Sequence, residues 1–265
     1  MLRGISYLIA MDKHTLRVRA MQRIGNALEN EGDYPGAQAS LERALALAKD
    51  DLQRANILND MGWVMMQKGD LIQATELCLN ALKMCGDPAN RDHLRAQIFD
   101  HLGTLAEKRN DSADALSYHQ QSLDIKQRLG DTSGVAESAN NLGHAYRALD
   151  DAEQAMLSFQ NSLKLDQQIG NALGTAMATM NIGNVYADQD EVDPAIQHFE
   201  EALRTFEKIG HKQGMAMCLD NLAACKEDTH QDDVVRDHLN KALTLYEEIG
   251  DTEGEARIKV ALQAL

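Results

Sequence analysis

The chain repeats itself. The string Ser138-Ala139-Asn140-Asn141-Leu142-Gly143-His144-Ala145-Tyr146, followed by Ala155-Met156-Leu157-Ser158-Phe159-Gln160-Asn161-Ser162-Leu163, returns 40 residues later as Ala178-Thr179-Met180-Asn181-Ile182-Gly183-Asn184-Val185-Tyr186 and Ala195-Ile196-Gln197-His198-Phe199-Glu200-Glu201-Ala202-Leu203. With the motif glycine as anchor, copies fall at Gly25, Gly62, Gly103, Gly143 and Gly183, with Ala223 in its place in the last, at steps of 37, 41, 40, 40 and 40 residues. Twelve residues past the anchors stand Ala37, Ala74, Ala115, Ala155, Ala195 and Val235, and nineteen past them Ala44, Ala81, Ser122, Ser162, Ala202 and Ala242. A fixed period of this length marks a supersecondary unit too small to bury its own apolar face, so neighbouring copies must stack. Residues 1–265 are therefore expected to form a single array.

Within one copy, Leu142, Gly143 and Tyr146 fall on one face of a helix, and Ala155, Phe159 and Ser162 on one face of another. Leu149-Asp150-Asp151 between them predicts a tight polar turn with a capping aspartate. After the second helix come Leu129-Gly130-Asp131, Ile169-Gly170-Asn171, Ile209-Gly210-His211 and Ile249-Gly250-Asp251, where glycine can take the left-handed conformation that closes a helix. Each copy reads as a helical hairpin.

Leu142-Gly143-x-x-Tyr146, Ala155-x-x-x-Phe159 and the small residue Ser162 resemble the tetratricopeptide repeat (TPR) pattern. The step of 40 in place of the usual ~34, the missing closing proline and the Ile-Gly-Asp connectors are similar to the longer variety found in Pins/LGN-type adaptors and bacterial signalling proteins. The resemblance covers essentially the whole chain. It implies an all-α, right-handed α-solenoid, a TPR superhelix of six helical hairpins over residues 14–250, with a partial helix of an incomplete repeat at 1–13 and a capping helix at 251–265. The partial helix follows from a shift of 37 that lays Tyr7–Met11 over Ala44–Ala48; the capping helix follows from a shift of 120 that lays Thr252–Gln263 over Thr132–Gly143. A truncated start suits a piece of a longer protein, or an end sealed by something else. The copy anchored at Ala223, with Lys226 in the tyrosine column and the turn Thr229–Asp233, is expected to be the least regular, and Gly86–Asn90 a reshaped connector.

Composition narrows the function. Lys and Arg number 26 against 41 Asp and Glu, for a net charge of −15, which opposes a nucleic-acid or anionic-membrane surface and favours basic partners. No run of about 18 apolar residues is present, so no transmembrane helix is expected. The apolar stretch Leu2–Met11 lacks a small-residue cleavage site and does not read as a signal peptide. The four cysteines form two i, i+7 pairs, Cys78 with Cys85 and Cys218 with Cys225, each held roughly 10 Å apart by two helical turns, beyond disulfide reach. Reduced, buried thiols in a cytoplasmic protein are expected.

Nothing in the sequence assembles a catalytic site. There is no H-E-x-x-H, no Walker loop, no nucleophile elbow and no strand for a dinucleotide fingerprint. The nine histidines occupy unrelated columns, His101 two before an anchor, His144 one after, His119 and His198 on second helices, so no metal is expected. The expectation is of no enzyme and no cofactor.

The resemblance also implies where a partner binds. In TPR arrays the first helix of each hairpin lines a concave groove, which here implies a peptide-binding set of Asn26, Asn59, Trp63, His101, Asn140, Asn141, His144, Asn181, Asn184 and Asn221, joined by Met177, Met180 and Met217. The residue one past an anchor is expected beside the residue two before the next, pairing Asn26 with Asp60, Trp63 with His101, Thr104 with Asn141, His144 with Asn181, and Asn184 with Asn221. An amide carries donor and acceptor together and can satisfy an extended backbone; the alternative is that these amides only bridge adjacent hairpins. The methionines offer an adaptable apolar pocket, or plain core. Glu137, Asp188, Asp220, Glu227 and Asp228 nearby suit a partner with Lys or Arg beside an apolar anchor. The family's carboxylate clamp for acidic tails is not reproduced, because Met180 stands where a lysine belongs and Ala261 where a second cation belongs beside Arg257. The expected function is a non-catalytic protein-protein interaction scaffold that binds a peptide or protein segment in the concave groove. The alternatives are a self-assembling protein using its ends or convex face, as a homo-oligomer, and a sensor module of a larger signalling protein.

Overall fold

The computed structural model describes residues 13–86, 91–226 and 232–265, and among them it is helical throughout, with no strand. The chain divides into two compact units. The first, up to Gly130, contains α1 (Lys13–Asn30), α2 (Tyr34–Leu47), α3 (Asp51–Gln67), α4 (Leu71–Cys85), α5 (Asp92–Lys108) and α6 (Ser112–Leu129). The second, Asp131–Leu265, contains α7 (Thr132–Ala148), α8 (Ala152–Ile169), α9 (Ala172–Asp188), α10 (Val192–Ile209), α11 (Lys212–Lys226), α12 (Asp232–Ile249) and α13 (Thr252–Ala264). In each unit consecutive helices pair as hairpins, each hairpin packs on the next, and first helices of adjacent hairpins touch: α1 with α3, α3 with α5, α7 with α9, α9 with α11. This is the stacked-hairpin fold of an α-solenoid. The expected partial helix at 1–13, the connector around Asp87–Asn90 and the turn at Glu227–Gln231 fall outside the described residues, apart from Lys13, which begins α1.

The turns divide their labour between adjacent residues. Asp150 takes the left-handed backbone with φ 58°, as do Asn110 and Asp190 at 59° in the equivalent turns. Asp151 then caps α8, its carboxylate accepting from the Gln154 amide at 3.1 Å. Asp70, Asp111, Asp131, Asn171 and Asp251 cap α4, α6, α7, α9 and α13 in the same way. Such caps contribute about 1 kcal/mol apiece. At position 211 the sequence supplies histidine, and His211 Nδ1 accepts from the Gly214 amide at 3.0 Å. The second helices α6, α8, α10 and α12 are followed by glycines at positive φ, Gly130, Gly170, Gly210 and Gly250, as the connectors predict, whereas α2 ends on Ala48 in extended backbone.

The anchors explain the period. A Cβ on Gly143 would sit 2.5 Å from Phe159 Cε1, and one on Gly183 would sit 2.7 Å from Phe199 Cε1, so each ring lies directly on the backbone of the helix before it. Gly62 meets Cys78 and Gly103 meets His119 in the same manner. His119 is fully buried in the column of these rings, with Nε2 3.3 Å from Glu107 Oε1. The alanine columns complete the fit, since Ala37, Ala44, Ala74, Ala81, Ala155, Ala195 and Ala202 have no exposed surface. Small residues at a helix contact let axes approach and dispersion contacts multiply.

None of the four cysteines is in a disulfide. Burial pushes Cys78 and Cys218 up to about 12, and it raises Cys85 as well despite the neighbouring Arg91 and Arg95. A thiol held protonated is a poor nucleophile. At about pH 8 a maleimide is therefore expected to modify half-buried Cys225 first and to reach Cys78 and Cys218 only after denaturant is added; prompt labelling of Cys78 in the native chain would contradict its burial. Gly143→Ala adds about 1 kcal/mol of helix propensity but forces a methyl into Phe159, a clash that typically costs about 1–3 kcal/mol. A net loss near ~1 kcal/mol, read as a lower urea midpoint at unchanged slope, is expected. A variant more stable than the parent would mean that the ring does not rest on the backbone.

Candidate functional site

Because the repeats stack in register, the polar faces of adjacent first helices meet at fixed offsets. In the first unit Trp63 on α3 and His101 on α5 lie with ring centroids 4.8 Å apart and planes tilted by 34°. Trp63 Nε1 donates to Glu29 at 3.1 Å, and His101 Nδ1 lies 2.9 Å from Asn59 Oδ1. Gln22 Nε2 donates to Asp60 at 2.6 Å. Asn26, with its amide nitrogen turned to the surrounding acceptors, donates to the Gln22 carbonyl at 3.1 Å and to Asp60 at 3.3 Å. Burial lifts the Asp60 carboxyl above the ordinary carboxylate range, opposed by the bonds from Gln22 and Asn26 and reinforced by the charge of Glu29. Trp63, Glu29, Asp60 and His101 border a polar cleft of about 300 Å³.

In the second unit Asn181 on α9 donates to Asn140 Oδ1 at 2.8 Å and approaches His144 Nε2 at 3.2 Å, both on α7. Asn221 on α11 donates to Asn184 Oδ1 at 2.9 Å. The expected contacts of Asn26, Trp63, His144 and Asn184 with the next first helix are thus present; Thr104 and Asn141 lie on α5 and α7, in different units. Arg147 grips Asp188 with both Nε and Nη2, the latter at 3.1 Å, and hydrogen bonding to Asp188 raises the Arg147 pKa further. Arg257 on α13 donates to Asp220 from Nε at 3.0 Å and Nη2 at 2.8 Å, and to the Tyr246 hydroxyl at 3.1 Å.

Several of the residues singled out in the sequence are buried or already engaged by other side chains. Met180 is buried with Phe199, Phe206 and Leu222, because the column three before the anchor turns into the α9/α10/α11 core when it is apolar. Asn59 and Asn181, each 3% exposed, spend their amides between first helices. Asp188 and Asp220 are engaged by Arg147 and Arg257, whose long side chains reach across one repeat, and Glu227 and Asp228 lie outside the described residues. Accessible surface remains at half-buried Asn140, Asn141, His144, Asn184 and Asn221, and at Met177 and Met217, 40% and 38% exposed.

Sequence reasoning missed a second cleft, of about 460 Å³, between α7, α8 and α9. Glu137, Asn140 and Asn141 form one wall, Leu173 and Met177 the other, and Ser162 and Asp166 the base. Its signal was available: Asp166 is charged in a column that carries Phe206 and Tyr246 one and two repeats later. Among the described residues no group of three or more His, Cys, Asp or Glu is disposed to hold a metal ion, and no helix is long and apolar enough to cross a membrane.

The comparisons with known proteins agree with this geometry. A family profile described as Tetratricopeptide repeat matches residues 53–128, 94–168 and 174–248, and a second profile of the same description matches 20–55. Photosystem I assembly protein Ycf3 of Synechococcus sp. (strain CC9902) is 30% identical over 105 residues, 39% of this chain; the chain spans 60% of the length of that relative. The apo form of RapI superposes with a TM-score of 0.71 at 13% identity, covering 93% of this chain and 96% of that one. A Rap protein complexed with Competence and Sporulation Factor superposes with a TM-score of 0.66 at 14% identity, covering 94% and 74%. At such identities the two Rap structures speak for the fold alone. Repeat register, hairpin stacking and the matched profiles together place the chain in the tetratricopeptide repeat family, to which it belongs.

Proposed function

We propose that this protein is a non-catalytic, cytoplasmic scaffold that holds an extended segment of another protein along the first helices of its second unit. TPR arrays are protein-interaction modules in general, and that much follows from family membership. The finer reading is carried by one observation: the half-buried amide of Asn141 and the exposed thioether of Met177 line one cleft, and the half-buried Asn221 stands one helical turn from the exposed Met217 on α11. Amides can pair with a backbone whatever its side chains, while a flexible thioether accepts an apolar anchor of varied shape. The net charge of −15 favours a partner with Lys or Arg near that anchor and disfavours nucleic acid and membrane. A relative named for assembly and a fold neighbour solved with a bound factor are in keeping with this reading. A second reading, homo-oligomerisation through the outer face of α13, draws on the largely exposed Val260 there.

The test separates binding from bridging. Asn181→Ala removes a buried bridge and is expected to lower stability by about 1–3 kcal/mol. The triple variant Asn141→Ala, Met177→Ala, Met217→Ala should melt close to the parent yet retain a partner captured by the parent chain about tenfold less well. Equal capture by parent and triple variant would remove the groove from the account. A mass by light scattering that rises with concentration would favour the α13 face.

A further inference from the structure

We infer that the cleft over Asp166 is a receptor for one arginine side chain of the bound segment, a reading that rests on the segment-binding function proposed above. The second unit supplies its own comparison. Phe206 and Tyr246 fill the space against the first turns of α11 and α13 so closely that a Cβ on Gly214 or Gly254 would lie 2.5 Å from the ring. At the equivalent place before α9 stands Asp166, with Oδ2 2.3 Å from where a Cβ on Gly174 would be. The carboxylate meets Gly174 as closely as the rings meet their glycines, but it is shorter than a ring, and Asp166 lines the cleft of about 460 Å³.

Two neighbours hold the carboxylate in one orientation. Asn171 Nδ2 donates to Oδ1 at 2.8 Å, Ser162 Oγ lies 3.5 Å from Oδ2, and the N-terminus of α9 supplies about half a positive charge. Asp166 is only 4% exposed, no Lys or Arg is among the residues that line the cleft, and Glu137 adds a second carboxylate to the lining. A buried anion with fixed aim gains from a cation that brings its own donors.

The lining selects guanidinium over ammonium. Carboxylate, amide and hydroxyl oxygens approach from α7, α8 and the connector to α9, and a planar fork of five donors can serve several of them at once where a compact ammonium serves fewer. Leu173 and Met177 form an exposed apolar lip along which the methylene stem of an arginine would lie.

The test uses the full chain, with N-acetyl-arginine amide and its neutral isostere N-acetyl-citrulline amide as probes in calorimetric titration, and a random heptapeptide display library as a separate arm. Saturable binding of the arginine derivative is expected, about tenfold weaker for citrulline and for Asp166→Asn. Asp166→Phe restores the ring column, so it should keep the melting temperature and abolish the signal. Equal binding of the two probes, or undiminished binding by Asp166→Phe, overturns the receptor. Selected peptides whose arginine cannot be replaced by citrulline support it. Peptides that bind the parent and Asp166→Phe alike overturn the receptor and leave segment binding standing, whereas a saturable arginine signal without any selected peptide supports the cleft and removes the segment.

Discussion

The seating of a second-helix side chain on a bare stretch of the first helix is the contact on which the glycine-anchored hairpins depend. Where the anchor is glycine, Phe159 or Phe199 rests on peptide backbone, and the flanking alanines have no exposed surface. A larger anchor would lift the second helix away and open the alanine columns, so loss at one point is felt along the whole hairpin. The variation along the array obeys the same limit. Cys78 and His119 take the place of the ring where the anchor glycine is kept, and the steps of the repeat change by only a few residues.

Stacking hairpins in register creates a second class of contact that no single hairpin contains. Asn181 joins α9 to α7 and Asn221 joins α11 to α9 through amide pairs, while Arg147 and Arg257 reach across a repeat to Asp188 and Asp220. A buried hydrogen bond contributes about 0.5–1.5 kcal/mol net, but an unpaired amide in the same place would cost more. These pairs therefore align first helices as much as they stabilise them. Alignment is also what a binding surface needs, because groups that are already ordered lose little entropy when a partner arrives. The same row of amides can thus serve structure at Asn181 and remain available to another chain at Asn141.

Much of the fold was legible in the residues. The period, the hairpins, the left-handed glycines and the capping aspartates all follow from local rules, since a helix end or a left-handed turn is decided within a few residues. The offset pairing of Trp63 with His101 and of Asn184 with Asn221 was legible too, because a constant period converts sequence offset into spatial adjacency. Less legible was which groups were already occupied. Asp188 and Asp220 read as free acids until the reach of Arg147 and Arg257 was visible, and a long flexible side chain has no fixed column. Met180 and Met177 lie three residues apart on one helix, yet one is core and the other is 40% exposed.

The sequence by itself determined that this chain is a helical repeat array with an acidic surface and no assembled catalytic motif, because periodicity and composition are properties of the chain alone. Only the tertiary structure decided which polar groups are spent between helices and which remain exposed, and that the aspartate at 166 lines a cleft where later repeats pack a ring. The reason is physical: a side chain's burial and partners depend on how closely two helices approach, and that distance is fixed by contacts between residues far apart in the chain.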